Sequence, residues 1–267
     1  MVGDVRTTVA ALLPHLKPKA EAAWLEAALE HYREARRGLD ELATGTPGRK
    51  PIHPQYVAKL ISDLASEEAV FSCDVGTTTI WAARYLRMNG SRRLLGSFVH
   101  GSMASALPQA IGAQAAYAGR QVISMSGDGG LTMLMGDLIT LTQMRLPVKV
   151  VVFNNGTLGF VELEQKAAGF LDTGVALRNP NFGAMATTMG IMGARVEDPA
   201  EVETALQRAF DHDGPALVDI VTNRAELAMP PKIEPHQVMG FSLWTIKAVL
   251  NGRADEIVQL AKTNLLR

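Results

Sequence analysis

Hydrophobic and polar positions along the chain fall into two alternating rhythms. Short apolar runs that end in glycine or polar residues read as buried strands: "AVFSCDVG", "RLLGSF", "QVISMSGDGG", "VKVVVFNNG" and "ALVDIVTN". Between them, helical patterns cover residues 55–66, 105–118, 132–144 and 199–210. Strands alternating with helices of about 10–15 residues predict an α/β fold, a doubly wound, mostly parallel sheet with helices on both faces.

The two ends differ from this middle. "VGDV" reads as a strand end, followed by a helix over residues 19–42 with Trp24, Leu25, Ala28, Leu29 and Tyr32 along it. "TGTPGRKP" reads as a linker by its Gly, Pro and Thr content, and "AMPPKIEP" as a connector. "FSLWTIKAVLNG" and "RADEIVQLAKTNLLR" predict two helices split by Asn251-Gly252. On the last helix Ile257, Val258, Leu260, Ala261 and Leu265 share one broad face. Asp255, Gln259, Lys262 and Thr263 occupy the other, with Leu266 off the pattern. Such a helix either docks on the body or lies on lipid, and Phe241, Leu243 and Trp244 are further apolar anchors.

Composition narrows the function classes. The chain has 267 residues, 47% hydrophobic and 20% charged, an ordinary globular balance. Its formal net charge of −1 supplies no basic field for nucleic acid. The single Cys73 makes neither an intrachain disulfide nor a thiolate metal site, and we assign it no role. No apolar run approaches the ~18 residues that span a bilayer. The first residues, with Asp4 among them, show no signal-peptide pattern. These features predict a soluble, cytoplasmic protein.

Candidate chemistry sits at the predicted strand ends. "VISMS" runs into Gly127-Asp128-Gly129-Gly130, with a helix expected from about Leu131. Glycines there let the backbone approach a ligand closely, and a helix start favours phosphate. Asp128 is a hard oxygen donor, which belongs beside a phosphate when a cation such as Mg²⁺ lies between them. The next strand ends at Asn154-Asn155, so Asn155 brings a neutral amide oxygen to the same sheet edge. A GDG alone is common in turns. GDG followed by helix, strand and NN, with Asp128 and Asn155 separated by 27 positions, is far more specific. Asp74 and Thr77, at another strand end, are further candidates to face the diphosphate.

This constellation resembles the signature of the thiamine diphosphate enzymes. The resemblance implies a Mg²⁺ site formed by Asp128, Asn155 and the backbone carbonyl of Thr157. Across "HPQYVAKLISDLA", "QMRLPVKVVVFNNGTLGFVELEQKAAGF" and the C-terminal "GRADEIVQLAKTNLLR", the chain resembles the pyruvate oxidase (quinone-linked pyruvate dehydrogenase) family over nearly its whole length. That family implies that "HGSM" lies at the aminopyrimidine ring. Gly101 would offer its carbonyl to the amino group, Ser102 would lie beside it, and Met103 would bend the cofactor. It implies that Asp128, Gly129 and Gly130 and the run Asn155, Gly156, Thr157, Leu158, Gly159, Phe160 and Val161 line the cofactor. Phe160 would be a mobile active-site residue, and Glu164 an acidic one. The related decarboxylases carry a glutamate where this chain has Val161, which weakens a decarboxylase assignment. His100 is a surface or cleft histidine with no fixed role.

The resemblance also implies an organisation. Residues 1–47 would be the remnant of a central FAD-type domain plus linker, 48–225 the diphosphate-binding domain, and 226–267 an amphipathic membrane-binding tail. The expected function is the thiamine diphosphate- and Mg²⁺-binding C-terminal part of a pyruvate:quinone oxidoreductase. The intact enzyme would convert pyruvate to acetate and CO2, with electrons passing through FAD to ubiquinone. The catalytic glutamate would come from a pyrimidine-binding domain of another chain, so this chain would be inactive alone. Further expected features are a homo-oligomer (a tetramer in the family) and peripheral attachment through membrane lipid to the inner face of the cell membrane. The alternatives are a component of an acetolactate synthase or carboligase, and a non-catalytic remnant or assembly partner.

Overall fold

The structure, a computed structural model, describes residues 3–19, 21–44, 50–227 and 233–264. The chain divides into two compact units, residues 1–42 and 43–267. The first contains α1 (Val5–Leu12), a 3-10 turn (Leu13–His15) and α2 (Ala23–Leu42). "VGDV" is therefore not a strand end. Asp4 is instead the N-cap of α1, where its Oδ1 accepts from the backbone N–H and the hydroxyl of Thr7, both at 2.9 Å. An acceptor side chain here satisfies an otherwise unpartnered helix donor, which decides the local structure in favour of helix. Trp24, Leu25, Leu29 and Tyr32 of α2 are exposed.

The second unit is built on six parallel strands: β1 (Val70–Cys73), β2 (Arg93–Gly96), β3 (Val122–Gly127), β4 (Lys149–Asn154), β5 (Met192–Val196) and β6 (Ala216–Val221). Their order is β2-β1-β3-β4-β6-β5. The helices between them are α3 (Pro54–Leu64), α4 (Thr77–Tyr85), α5 (Ala106–Ala116), α6 (Asp128–Leu134), α7 (Leu138–Gln143), α8 (Gly159–Ala167), α9 (Phe182–Thr188) and α10 (Val202–Asp211). This is the expected doubly wound sheet. The central strands β1 and β4 are buried at every residue, which explains their unbroken apolar runs. One face packs Val122, Val150, Val152 and Leu217 against Leu107, Leu138, Leu141 and Phe182 of α5, α7 and α9. On the other, α3 lies between α4 and α10, with Val57, Ile61, Trp81 and Leu206 buried.

Three elements, α4, α9 and β5, have no counterpart in the hydrophobic pattern. Edge strand β5 ("MGARV") is half-buried over most of its length and contains Gly193 and Arg195, so period and propensity both fail there. What makes it a strand is pairing with β6 and close approach of α9. A Cβ on Gly193 would stand 1.9 Å from the Gly183 carbonyl oxygen, and one on Gly183 would stand 2.5 Å from that of Ala194. The helix expected over 132–144 is two helices. α6 starts at Asp128 itself, so the GDGG stretch forms its first turn, and a 3-10 turn (Met135–Asp137) separates it from α7.

The C-terminal helices are α11 (Pro235–Leu250) and α12 (Ala254–Asn264), broken at Asn251-Gly252 as expected. α11 packs on α8. Trp244 is buried, with the Lys166 ammonium 5.2 Å from its ring, so it anchors the tail to the body and is no free lipid anchor. On α12 the predicted faces are corrected at two positions. Thr263 is buried and accepts from Asn223 Nδ2 at 3.3 Å, whereas Val258 is exposed. A hydrogen-bond partner waiting on the body draws the threonine inward. Leu265, Leu266 and most of both proposed linkers lie outside the described residues. Among the described residues no helix is long and apolar enough to cross a membrane.

Gly193→Ala should lower stability by at least about 2 kcal/mol through overpacking. The melting temperature should then fall by roughly 4–8 °C in a thermal unfolding scan.

Candidate functional site

Topology places the site. The chain leaves β1 for β2 on one side and returns to β3 on the other, so the carboxyl ends of β1 and β3 bound a switch point, where open α/β sheets bind ligands. A cleft of about 230 Å³ opens there. Its walls are the turn after β1 (Asp74–Thr78), the loop carrying Gly101 and Met103, the β3–α6 turn (Gly127–Gly130), and residues from Asn155 to Val161. Registers Cys73↔Met125 and Gly127↔Phe153 bring these ends level.

Asp128 is 3% exposed. Its Oδ1 accepts from the Gly129 N–H at 2.9 Å. Its Oδ2 accepts from the Gly156 N–H and from Asn179 Nδ2, both at 2.7 Å. Asp74 is equally buried, accepting from the N–H groups of Ala106 at 2.9 Å and Gly127 at 3.2 Å. Room for it depends on Gly130, since a Cβ there would stand 2.2 Å from Asp74 Oδ2. Ala104, in the loop above, takes a left-handed φ of 64°, which a non-glycine adopts at a cost.

Five acidic side chains are buried among the described residues: Asp74, Asp128, Glu162, Asp219 and Glu226. Three have a basic partner. Glu162 pairs with Lys166 and Arg224, Asp219 with Arg195, and Glu226 with His53. Among the described residues, no basic group lies within ion-pair distance of Asp74 or Asp128, the two in the cleft. Burial accordingly pushes both carboxyls up against their N–H partners, Asp74 to about 6. Burial also opposes the Glu162 carboxylate, yet Lys166, Thr157 and Arg224 together hold it below the usual range. The cleft therefore has an unmet need for positive charge.

The oxygen set suits a hard divalent cation. Asn155 Oδ1 accepts only the Thr157 N–H, at 3.1 Å. Among the described residues no donor reaches the Thr157 carbonyl. One carboxylate, one amide oxygen and one carbonyl form the pattern that Mg²⁺ takes beside phosphate oxygens. Among the described residues no cluster of three His, Cys, Asp or Glu offers a rival metal site. The loop bearing these donors is strapped from outside. Leu158 N–H donates to the Val175 carbonyl and Leu177 N–H to that of Gly156, both at 2.9 Å. Thr157 Oγ1 donates to Glu162 Oε2 at 2.6 Å.

The structure brings together Gly101, Met103, Asp128, Gly129, Gly130, Asn155, Thr157, Leu158, Gly159, Phe160 and Val161 of the expected residues, along with the further candidates Asp74 and Thr77. Gly156 stands behind the wall and serves through its N–H to Asp128. Ser102 is exposed and bonded within its own loop, its N–H to Ser97 Oγ and its hydroxyl to the Met103 carbonyl. Glu164 is exposed and outside the cleft, and the buried acid of α8 is Glu162. Helical spacing explains this, since only Glu162 shares a face with Lys166, four residues on. His100 is exposed, and Cys73 is buried with its thiol pushed by burial up to about 11. Sequence reasoning missed Asn179 and Asp219. Asn179 carries no motif, and its role appears only when the strap folds back on β3 and β4.

Residues 74–220 match the family described as thiamine pyrophosphate enzyme, C-terminal TPP binding domain, and the chain belongs to that family. The cleft lies wholly within the matched segment. Protein YdaP of Bacillus subtilis strain 168, provisionally described as thiamine pyrophosphate-containing, is 32% identical over 98% of this chain and 45% of its own length. Pyruvate oxidase of Lactiplantibacillus plantarum is 30% identical over 83% of this chain and 37% of its own. The mitochondrial acetolactate synthase catalytic subunit of Aspergillus candidus is 31% identical over 86% of this chain and 34% of its own. The chain thus spans less than half the length of these relatives. Residues 74–220 are thus a C-terminal TPP binding domain of the thiamine pyrophosphate enzyme family.

The raised Asp74 pKa favours the protonated form in the folded state, so the stability it contributes below about pH 4 is lost as pH rises through about 6. Measured against Asp74→Asn to cancel other groups, wild-type stability without cofactor should fall by about 2 kcal/mol between pH 4 and pH 7. Denaturant titrations at both pH values check this.

Proposed function

We propose that the cleft holds Mg²⁺ and the diphosphate of thiamine diphosphate, and that the chain serves as the C-terminal part of a pyruvate:quinone oxidoreductase. The observation that carries the cofactor reading is Asp128, a buried carboxylate with three hydrogen bonds and no basic partner at the switch point. Asp128, Asn155 and the Thr157 carbonyl hold the cation. Gly129 and Gly130 let the backbone approach the diphosphate. Met103, whose Cε lies 3.5 Å from where a Gly129 Cβ would stand, supports the cofactor from the opposite wall. When bound, thiamine diphosphate supplies the electron sink for loss of CO2 from a 2-oxo acid.

The pyruvate oxidase relative supports oxidation of pyruvate, and passage of the electrons through FAD to ubiquinone is part of the proposal. The acetolactate synthase relative, at similar identity, supports carbon–carbon bond formation as the second reading. Both readings call for a pyrimidine-binding domain beside this one, and the oxidase reading also for an FAD domain, to which residues 1–47 would belong. Homo-oligomer formation and peripheral binding to membrane lipid complete the proposal. Met239, Leu243, Ile246 and Leu250, exposed along α11, are the side chains available for lipid.

Calorimetry with thiamine diphosphate should show binding that depends on Mg²⁺. Asp128→Ala should weaken it by more than the roughly 10–100-fold that loss of a supporting hydrogen bond costs a metal site. No binding by the wild type would make the chain a remnant. With the pyrimidine- and FAD-binding segments added, dye-linked pyruvate oxidation supports the oxidase and acetolactate formation supports the synthase. Pyruvate turnover by the chain alone would refute the need for partners.

A further inference from the structure

A polar chain, buried at its centre, crosses three strands behind the cleft. Arg195 on β5 donates from Nη1 to Asp219 Oδ2 on β6 at 2.7 Å. Asp219 Oδ1 accepts from Asn154 Nδ2 at the end of β4 at 2.9 Å. Asn154 Oδ1 accepts from Asn179 Nδ2 at 2.9 Å, and the same Asn179 nitrogen donates to Asp128 Oδ2 at 2.7 Å. Asp219 is fully buried and Asn154 nearly so.

The chain has a direction. An ionised carboxylate only accepts, so Asp219 forces Asn154 to turn its NH2 toward it. The Asn154 oxygen must then face Asn179, which turns its own NH2 toward both Asn154 and Asp128. Arg195 donates to Asp219 from the far side, and the acceptor so held sets the direction of every amide downstream. The consequence falls on Asp128. A carboxylate offers about four lone-pair sites, and three are occupied: both on Oδ2, by Gly156 and Asn179, and one on Oδ1, by Gly129. One site remains, on Oδ1.

We propose that Asn179, oriented through Asn154 by the Asp219–Arg195 pair, is a positioning residue that saturates Asp128 Oδ2 and leaves Oδ1 as a single oxygen donor for a divalent cation. This rests on the cation reading of the cleft. Asn179 touches neither cofactor nor substrate, and acts only through Asp128. Side-chain orientation by such a partner typically changes metal affinity by about 10–100-fold.

The test titrates Mg²⁺ and Mn²⁺ into the full chain at fixed thiamine diphosphate, by calorimetry and by the Mn²⁺ electron paramagnetic resonance signal. It compares wild type, Asn179→Leu and Asn179→Ala. We expect metal affinity to fall by about 10–100-fold in both variants. Thiamine diphosphate affinity should return to the wild-type value at saturating metal, and the melting temperature without ligands should move by no more than about 5 °C. A metal affinity within twofold of wild type in both variants overturns the proposal. So does a cofactor affinity that saturating metal fails to restore, because that marks a collapsed loop and not a misoriented ligand. If wild type itself shows no metal-dependent binding, the cation reading fails and this inference with it.

Discussion

Everything around the cleft depends on one constraint, a carboxylate held almost fully out of water with no basic side chain beside it among the described residues. Asp128 sits where β3 turns into α6, and backbone or amide N–H groups supply all three of its hydrogen bonds. Such groups lower the penalty of burying a charge but do not neutralise it, which is why burial still pushes the carboxyl up. The fold leaves that charge unanswered at the switch point of the sheet, among glycines that admit a ligand's backbone-close approach. A protein built only for stability would have paired it, as it paired Glu162, Asp219 and Glu226.

The paired acids show how the surroundings are held. Asp219 belongs to two structures at once. Arg195 lies opposite it in the β5–β6 register, and Asn154 reaches it from β4. Sheet pairing and site geometry are therefore coupled through one ion pair whose acid is fully buried, so that loss of Arg195 would leave the Asp219 charge without its cation. Glu162 does the equivalent on the other wall. It accepts from Thr157 in the loop after β4 and from Lys166, which in turn lies over Trp244 of α11. Asp172 extends the network to Arg253, at the start of α12, at 2.5 Å. The C-terminal helices are thus tied by charge as well as packing to the helix that follows the loop.

Comparison of sequence and structure divides by the kind of signal. Central strands were legible because burial on both faces demands continuous apolar runs, and "VISMS" and "VKVVVF" obey this. The edge strand β5 was not, because its stability comes from Gly183–Gly193 contact with α9, a pairing of backbones that leaves no hydrophobic period. Asp4 turned an apparent strand end into a helix start by a single local hydrogen bond. On α12, Thr263 went inward because Asn223 waited for it, which a helical wheel has no means to show.

The site divides in the same way. Sequence by itself determined the GDG and NN pair, their separation, and the expectation that both reach one sheet edge. Parallel strands of a doubly wound sheet leave no other place for them. Only tertiary structure decided that Asp128 lacks a counter-charge, that Glu162 and not Glu164 is the buried acid of α8, and that Asn179 reaches Asp128 across 51 positions of chain. These facts depend on directions of side chains brought together by folding. A motif records which residues are near in sequence, whereas charge balance and lone-pair occupancy are properties of what is near in space.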